Sequence, residues 1–158
     1  MNRKSIAVVW GGYSSEEEIS KKSAEGICNF LDKSKYNAIK VCITHDIWQA
    51  ELNDSLYPID KNNFTFTANN QLIKFDFVYN IVHGTPGEDG SLQGYFDMLN
   101  ICYSSSGVLS SALTFNKYVC NNYLRSFGFK VADSVLLKKG DHFILKELVD
   151  KLKLPLFV

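Results

Sequence analysis

The feature that most restricts this chain lies in its first 44 residues: a β-rich run at 5–10, two glycines, a long helical period and a second β-rich run at 38–44. Two such runs joined by a helix form a βαβ unit, with the strands parallel and the crossover right-handed. From Ser14 onward, Ile19, Ile27, Phe30 and Leu31 repeat on one helical face. Ser15 and Glu18 are spaced as a capping box, and the helix is expected to end near Lys35. The chain therefore starts an α/β sheet whose strands run parallel.

The rhythm breaks at 57–75, where Phe64 to Thr67 alternate, Asn69-Asn70 supplies a turn and 72–75 runs back, predicting an inserted hairpin with a structural role. Residues 77–82 form an almost unbroken apolar strand, the pattern of a central position covered on both faces. A glycine-rich loop from His83 then feeds a helix on which Leu92, Phe96 and Leu99 resume helical spacing. A short strand at 101–103, a small-residue loop at 104–107 and a helix at 111–126 closed by Gly128 follow. Beyond these, 131–137 reads as a strand, 143–152 as a helix and 154–158 as the start of another strand. An apolar run without a cap or polar tail is an unusual end for a folded chain, so the sequence is expected to stop inside a second domain. The boundaries are 1–110 for the first domain and 111–158 for the partial second.

Composition narrows the partners. The 158 residues are 46% hydrophobic and 22% charged, which suits a packed core. Lys plus Arg and Asp plus Glu both number 17, leaving no basic field to hold a phosphate backbone, so nucleic acid is disfavoured. No stretch approaches the roughly 20 apolar residues of a membrane span, so a cytoplasmic protein without a membrane partner is expected. Cys28, Cys42, Cys102 and Cys120 lack C-x-x-C spacing and are expected to be buried free thiols.

Gly11-Gly12 at a strand-to-helix junction invites a nucleotide reading, but neither G-x-G-x-x-G nor the phosphate-loop pattern is present. Glu16, Glu17 and Glu18 crowd the first helical turn and would repel a phosphate there, so the position prefers a cation such as a substrate ammonium. The same carboxylates complement the helix dipole without any ligand, and the residues alone leave both readings open. His83 sits at the carboxyl end of a buried strand, where open α/β sheets bind ligands, although an imidazole also serves to satisfy loop carbonyls. Glu88 and Asp89 face a choice between ligand contact and helix capping, with Asp89 the expected cap. Lys117 on its own reads as a solvated lysine of an amphipathic helix.

Four blocks, in this order, resemble the N-terminal part of D-alanine:D-alanine ligases of the ATP-grasp superfamily, which make the dipeptide of peptidoglycan. They are Gly11-Gly12-Tyr13-Ser14-Ser15-Glu16-Glu17-Glu18-Ile19-Ser20; His83-Gly84 through Gly90 with Leu92-Gln93-Gly94; Ser106-Gly107-Val108-Leu109-Ser110-Ser111-Ala112-Leu113; and Asn116-Lys117. The resemblance implies a three-layer Rossmann-like (pre-ATP-grasp) α/β domain, a mostly parallel sheet with helices on both faces, followed by the start of an ATP-grasp domain. It implies catalytic, substrate-contacting roles for Glu16, at the ammonium of the first D-alanine, and for His83, near its carboxylate and the acyl phosphate formed from it. Glu88 joins the substrate side and Lys117 contacts ATP. D-alanine, ATP and magnesium are implied as substrates and cofactor, with a homodimer as the assembly. The magnesium ligands, the lid and most ATP contacts belong in that family to a later part of the chain, so this segment alone is expected to be inactive. Departures are Asn116 where Asp is usual, Ser104-Ser105 in place of Thr-Gly, and missing prolines near Ala132 and Asp133. Two other readings are ligation to D-lactate or D-serine, and a small-molecule binding module of α/β class without catalysis.

Overall fold

The computed structural model describes residues 3–156. In chain order the elements are β1 (Lys4–Gly11), α1 (Glu17–Phe30), β2 (Tyr36–Ile43), β3 (Trp48–Leu52), β4 (Ser55–Pro58), β5 (Phe66–Ala68), β6 (Gln71–Ile73), β7 (Phe77–Asn80), α2 (Ser91–Met98), α3 (Val108–Phe115), α4 (Lys117–Ser126) and α5 (Leu145–Leu152). The chain divides into two compact units, 1–112 and 113–158.

In the first unit a five-stranded sheet runs β4-β3-β2-β1-β7. The three strands β2, β1 and β7 are parallel, with Ile6 opposite both Ala38 and Phe77, while β3 and β4 extend the sheet in antiparallel fashion. Side-chain alternation along β1 assigns its two faces. Ile6 and Val8 meet Ala24 and Ile27 of α1, whereas Ala7 and Val9 join Ile39, Val41, Phe64, Leu92 and Phe96 on the opposite face. The inward positions of α1 are small, Ser20 and Ala24, which lets that helix lie close over the sheet. The second face is sealed by an aromatic group. Phe64 lies with ring centroids 5.0 Å from Phe96, 5.3 Å from Phe75 and 6.3 Å from Trp48, near the tilted and edge-on spacing that rings prefer.

Several expectations change. The first helix stops at Phe30 rather than near Lys35, because Asp32 folds the next residues into a turn by accepting from both the N–H and the hydroxyl of Ser34. Residues 48–58 form a hairpin in the main sheet, turned by Asn53 and Asp54 at positive φ, so Tyr57 belongs to β4 and the inserted hairpin shrinks to β5–β6 with Asn69-Asn70 at its tip. The segment 101–103 makes one bridge, Tyr103 to Val78, since Asn100 at φ 54 and the loop from Ser104 bound it closely. The helix expected at 111–126 is two helices, because Asn116 leaves the helical conformation and its side chain accepts from Val119 N as the cap of α4. Its far end is as expected: Gly128 at φ 82 closes it in a Schellman arrangement, with Gly128 N donating to Arg125 O and Phe129 N to Leu124 O. Residues 131–137 form no strand, as no segment among the described residues pairs with them. Of the strand expected at 154–158, residues 157 and 158 lie outside the described residues, and 154–156 are not extended into one. The thiols are free, but Cys102 is exposed and the other three are only half-buried.

Candidate functional site

Three connections meet at the carboxyl edge of the parallel strands: the turn after β1, the turn after β2 and the loop after β7. Gly11 and Gly12 hold φ of 108° and 113°, a region open to glycine at little cost. A side chain at Gly11 would stand 2.5 Å from the Ile43 carbonyl oxygen, so the first turn is pressed against the end of β2, where Gly12 N donates to Ile43 O at 2.8 Å. Tyr13 N then donates to Thr85 O at 2.9 Å, and the Ser14 hydroxyl donates to the His83 carbonyl at 3.2 Å. Above them the Tyr13 ring stacks on His45 at 3.6 Å and 16°, tying in the turn after β2.

Glu16 ends this turn as the N-cap of α1, and its side chain makes no capping bond. The capping box expected from Ser15 and Glu18 does not form. The hydroxyl that accepts from Glu16 N is that of Ser14, at 3.3 Å, which leaves the Glu16 carboxylate exposed and, among the described residues, uncommitted at the positive end of the helix. Glu17 and Glu18 complement the dipole from the first turn.

His83 is half-buried, and its imidazole has no hydrogen bond among the described residues. The loop it opens folds on itself: Gly87 N and Glu88 N both donate to Gly84 O at 2.8 Å, and Glu88 Oε2 accepts from Gly84 N at 2.8 Å. Glu88 therefore neither caps α2 nor stands free; one of its oxygens closes the loop. The capping role falls to Asp89, which accepts from Ser91 N at 2.9 Å. Burial, the largest influence on that carboxyl, raises its pKa. The hydrogen bonds from Ser91 and Thr85 outweigh burial and hold it below the usual carboxylate range.

Sequence reasoning passed over Ser14 and Ser20. Ser20 is fully buried, accepts from Gly11 N at 3.0 Å and donates to Ile81 O at 2.7 Å, so one hydroxyl ties α1 to the ends of both flanking strand segments. Its signal was a polar residue on the inward face of an amphipathic helix. Lys117 belongs to the second unit, where its ammonium donates to Thr114 O at 3.1 Å and Phe115 O at 3.5 Å. Among the described residues no three His, Cys, Asp or Glu side chains are grouped to hold a metal ion.

This edge offers an uncommitted carboxylate and an imidazole on adjoining turns, a pairing suited to a small zwitterion. Residues 5–106 match the family model described as "D-ala D-ala ligase N-terminus". The chain is 54% identical over 157 residues to the D-alanine--D-alanine ligase of Parabacteroides distasonis, covering 99% of this chain and 48% of that protein. It thus spans about half the length of the curated relatives it matches. Among solved structures, the D-alanine-D-alanine ligase of Coxiella burnetii superposes with a TM-score of 0.82 at 31% identity, covering 96% of this chain and 49% of that one. The Bacillus anthracis ligase complexed with ATP gives 0.71 at 31% identity, covering 98% and 45%.

Proposed function

As the chain belongs to the D-ala D-ala ligase N-terminus family, we propose that it forms the first-substrate half of an ATP-dependent D-alanine:D-alanine ligase acting in peptidoglycan synthesis. In the reaction the carboxylate of one D-alanine takes the γ-phosphoryl group of ATP, and the amine of a second attacks the resulting acyl phosphate, releasing phosphate and forming the peptide bond. The observation that supports this reading is the uncommitted Glu16 carboxylate on a turn bonded directly to the loop of His83. Glu16 receives the ammonium of the first D-alanine in a charge-assisted hydrogen bond. His83 places a donor where negative charge gathers on the acyl phosphate and in the transition state of its transfer. Glu88, one of whose oxygens accepts from Gly84 N, joins the substrate side through the loop it closes. Lys117 exchanges its backbone carbonyl partners for ATP phosphate oxygens.

Magnesium, when bound, would supply positive charge to the phosphates. We take its ligands to lie in the part of a full-length ligase outside the half that this chain spans, and this segment alone to be inactive. Free thiols, and no described helix long and apolar enough to cross a membrane, fit a cytoplasmic enzyme, which we take to work as a homodimer.

The test is phosphate release from ATP with D-alanine, measured on a full-length ligase carrying this segment. Glu16→Gln should raise KM for the first D-alanine by about 5- to 30-fold, the loss of about 1–2 kcal/mol when a charged acceptor becomes neutral. His83→Ala should lower kcat by about 10²-fold or more. Unchanged kinetics in both variants would return the two residues to structural roles. Turnover only with D-lactate or D-serine as the second substrate would change the acceptor but keep the first site.

A further inference from the structure

Behind the His83 loop lies a polar network that the proposed reaction does not use. The Gly87 carbonyl accepts two side-chain amides, Asn80 Nδ2 at 2.8 Å and Gln93 Nε2 at 2.6 Å, so both of its lone pairs are engaged. Gln93 is 1% exposed in the first turn of α2, and Asn80 ends β7, where its Oδ1 also accepts from Val82 N at 3.2 Å. The serines that stand in place of the Thr-Gly usual in the resembling family complete the network. Ser104 Oγ accepts from Asn80 N at 3.0 Å and Ser105 Oγ accepts from Gln93 Nε2 at 3.0 Å.

The orientation of the Gln93 amide follows from chemistry. Turning it over would set Oε1 against the Gly87 carbonyl oxygen, two acceptors facing each other, so Nε2 stays on Gly87 and Oε1 is left buried without a partner among the described residues. A buried amide tolerates an unpaired oxygen only where its other contacts compensate, which marks the Gly87 contact as one the fold retains. Gly87 has little freedom otherwise. A side chain there would collide with Val82, and Gly87 N and Glu88 N both hang from Gly84 O, the residue next to His83. A shift of the Gly87 carbonyl therefore moves Gly84 and carries His83 with it.

We infer that Asn80 and Gln93 are positioning residues: by clamping the Gly87 carbonyl from β7 and α2 together, they set where the His83 imidazole stands and so govern the transfer step. The kinetic part of this inference rests on the ligase reading; the structural part does not. A catalytic donor misplaced by a fraction of an ångström loses rate more than ground-state affinity, so the effect falls on kcat.

Asn80→Asp is the discriminating change, since it keeps the acceptor for Val82 N and removes the donor to Gly87; Gln93→Met removes the other donor while keeping side-chain length. In the 158-residue chain, each should shift the His83 imidazole signals in a ¹H–¹³C NMR spectrum. In a full-length ligase each should lower kcat by about tenfold with KM for ATP within about twofold. Should Gln93→Met fail to fold, the half-buried Asn80→Asp decides alone. His83 signals unmoved and kcat within twofold of the unsubstituted enzyme, in a folded Asn80→Asp variant, would overturn the inference. An unsubstituted full-length protein that releases no phosphate would instead overturn the ligase reading and leave the NMR result to judge the clamp.

Discussion

The two units of this chain handle apolar surface in opposite ways. In the first, eighteen buried hydrophobic residues among those described pack on the two faces of one sheet. In the second, α4 and α5 bury none of their residues, and Tyr123, Phe127 and Phe129 are at least half exposed. Both helices are amphipathic in sequence, so the difference lies in what faces them. A parallel sheet presents two flat apolar faces that its own crossovers cover. Among the described residues of the second unit no sheet offers α4 and α5 such a surface. What stability each unit has rests on different terms: burial in the first, and local caps and turns in the second.

The largest test of that contrast is Phe64→Ala. Removing a fully buried ring from the centre of the aromatic group should cost about 3–5 kcal/mol, read by urea unfolding followed through the neighbouring Trp48. Amide exchange in α4 and α5 should stay as it was; faster exchange there would break the division. Asn116→Ala is the reverse experiment. It removes the cap of α4 and should cost about 1 kcal/mol in that helix alone, seen as faster exchange of the α4 amides with the unfolding of the sheet unit unchanged. The smallest effect concerns acid. The carboxyl of Asp89 titrates below its ordinary value in the folded unit, so its contribution is present above about pH 4 and is lost as pH falls below that. Asp89→Asn should flatten that acid limb in the sheet unit without touching the other, and an unaltered pH profile would mean the cap contributes nothing.

The same contrast explains what could be read from the residues. The βαβ start, the strand before His83 and the helix after Gly90 were legible because each pairs a clear period with glycine punctuation. The β3–β4 hairpin was not, although Trp48, Ala50 and Leu52 alternate with Gln49 and Glu51, because its turn at Asn53-Asp54 reaches positive φ without a glycine to mark it. Residues 131–137 have strand composition, yet a strand is a relation between two segments, and composition carries only one of them. At the site, chemistry-bearing residues such as Glu16 and His83 stood out by type and place. The residues that hold them, Ser14 and Ser20, are small and ordinary, and the distances show what they tie together. Asn116 shows the limit of periodicity: the apolar repeat runs through it, but its side chain offers the backbone a better partner than the helix does.

The pairing of β1 with β7 has a consequence for how the molecule comes into being. Ser5 N donates to Asp76 Oδ2 at 2.7 Å, and Asp76 N donates to Ser5 O at 2.8 Å, across a separation of 71 residues. β1 and β2 can join as soon as the first forty-odd residues have emerged from the ribosome, whereas β7 arrives much later and must close a long loop to reach its place. The Glu16 turn is thus present early on an unfinished sheet, and His83 joins it only when the last parallel strand docks. A nascent chain interrupted before that moment holds only one of the two turns of the proposed site, which is completed in one late step rather than by degrees.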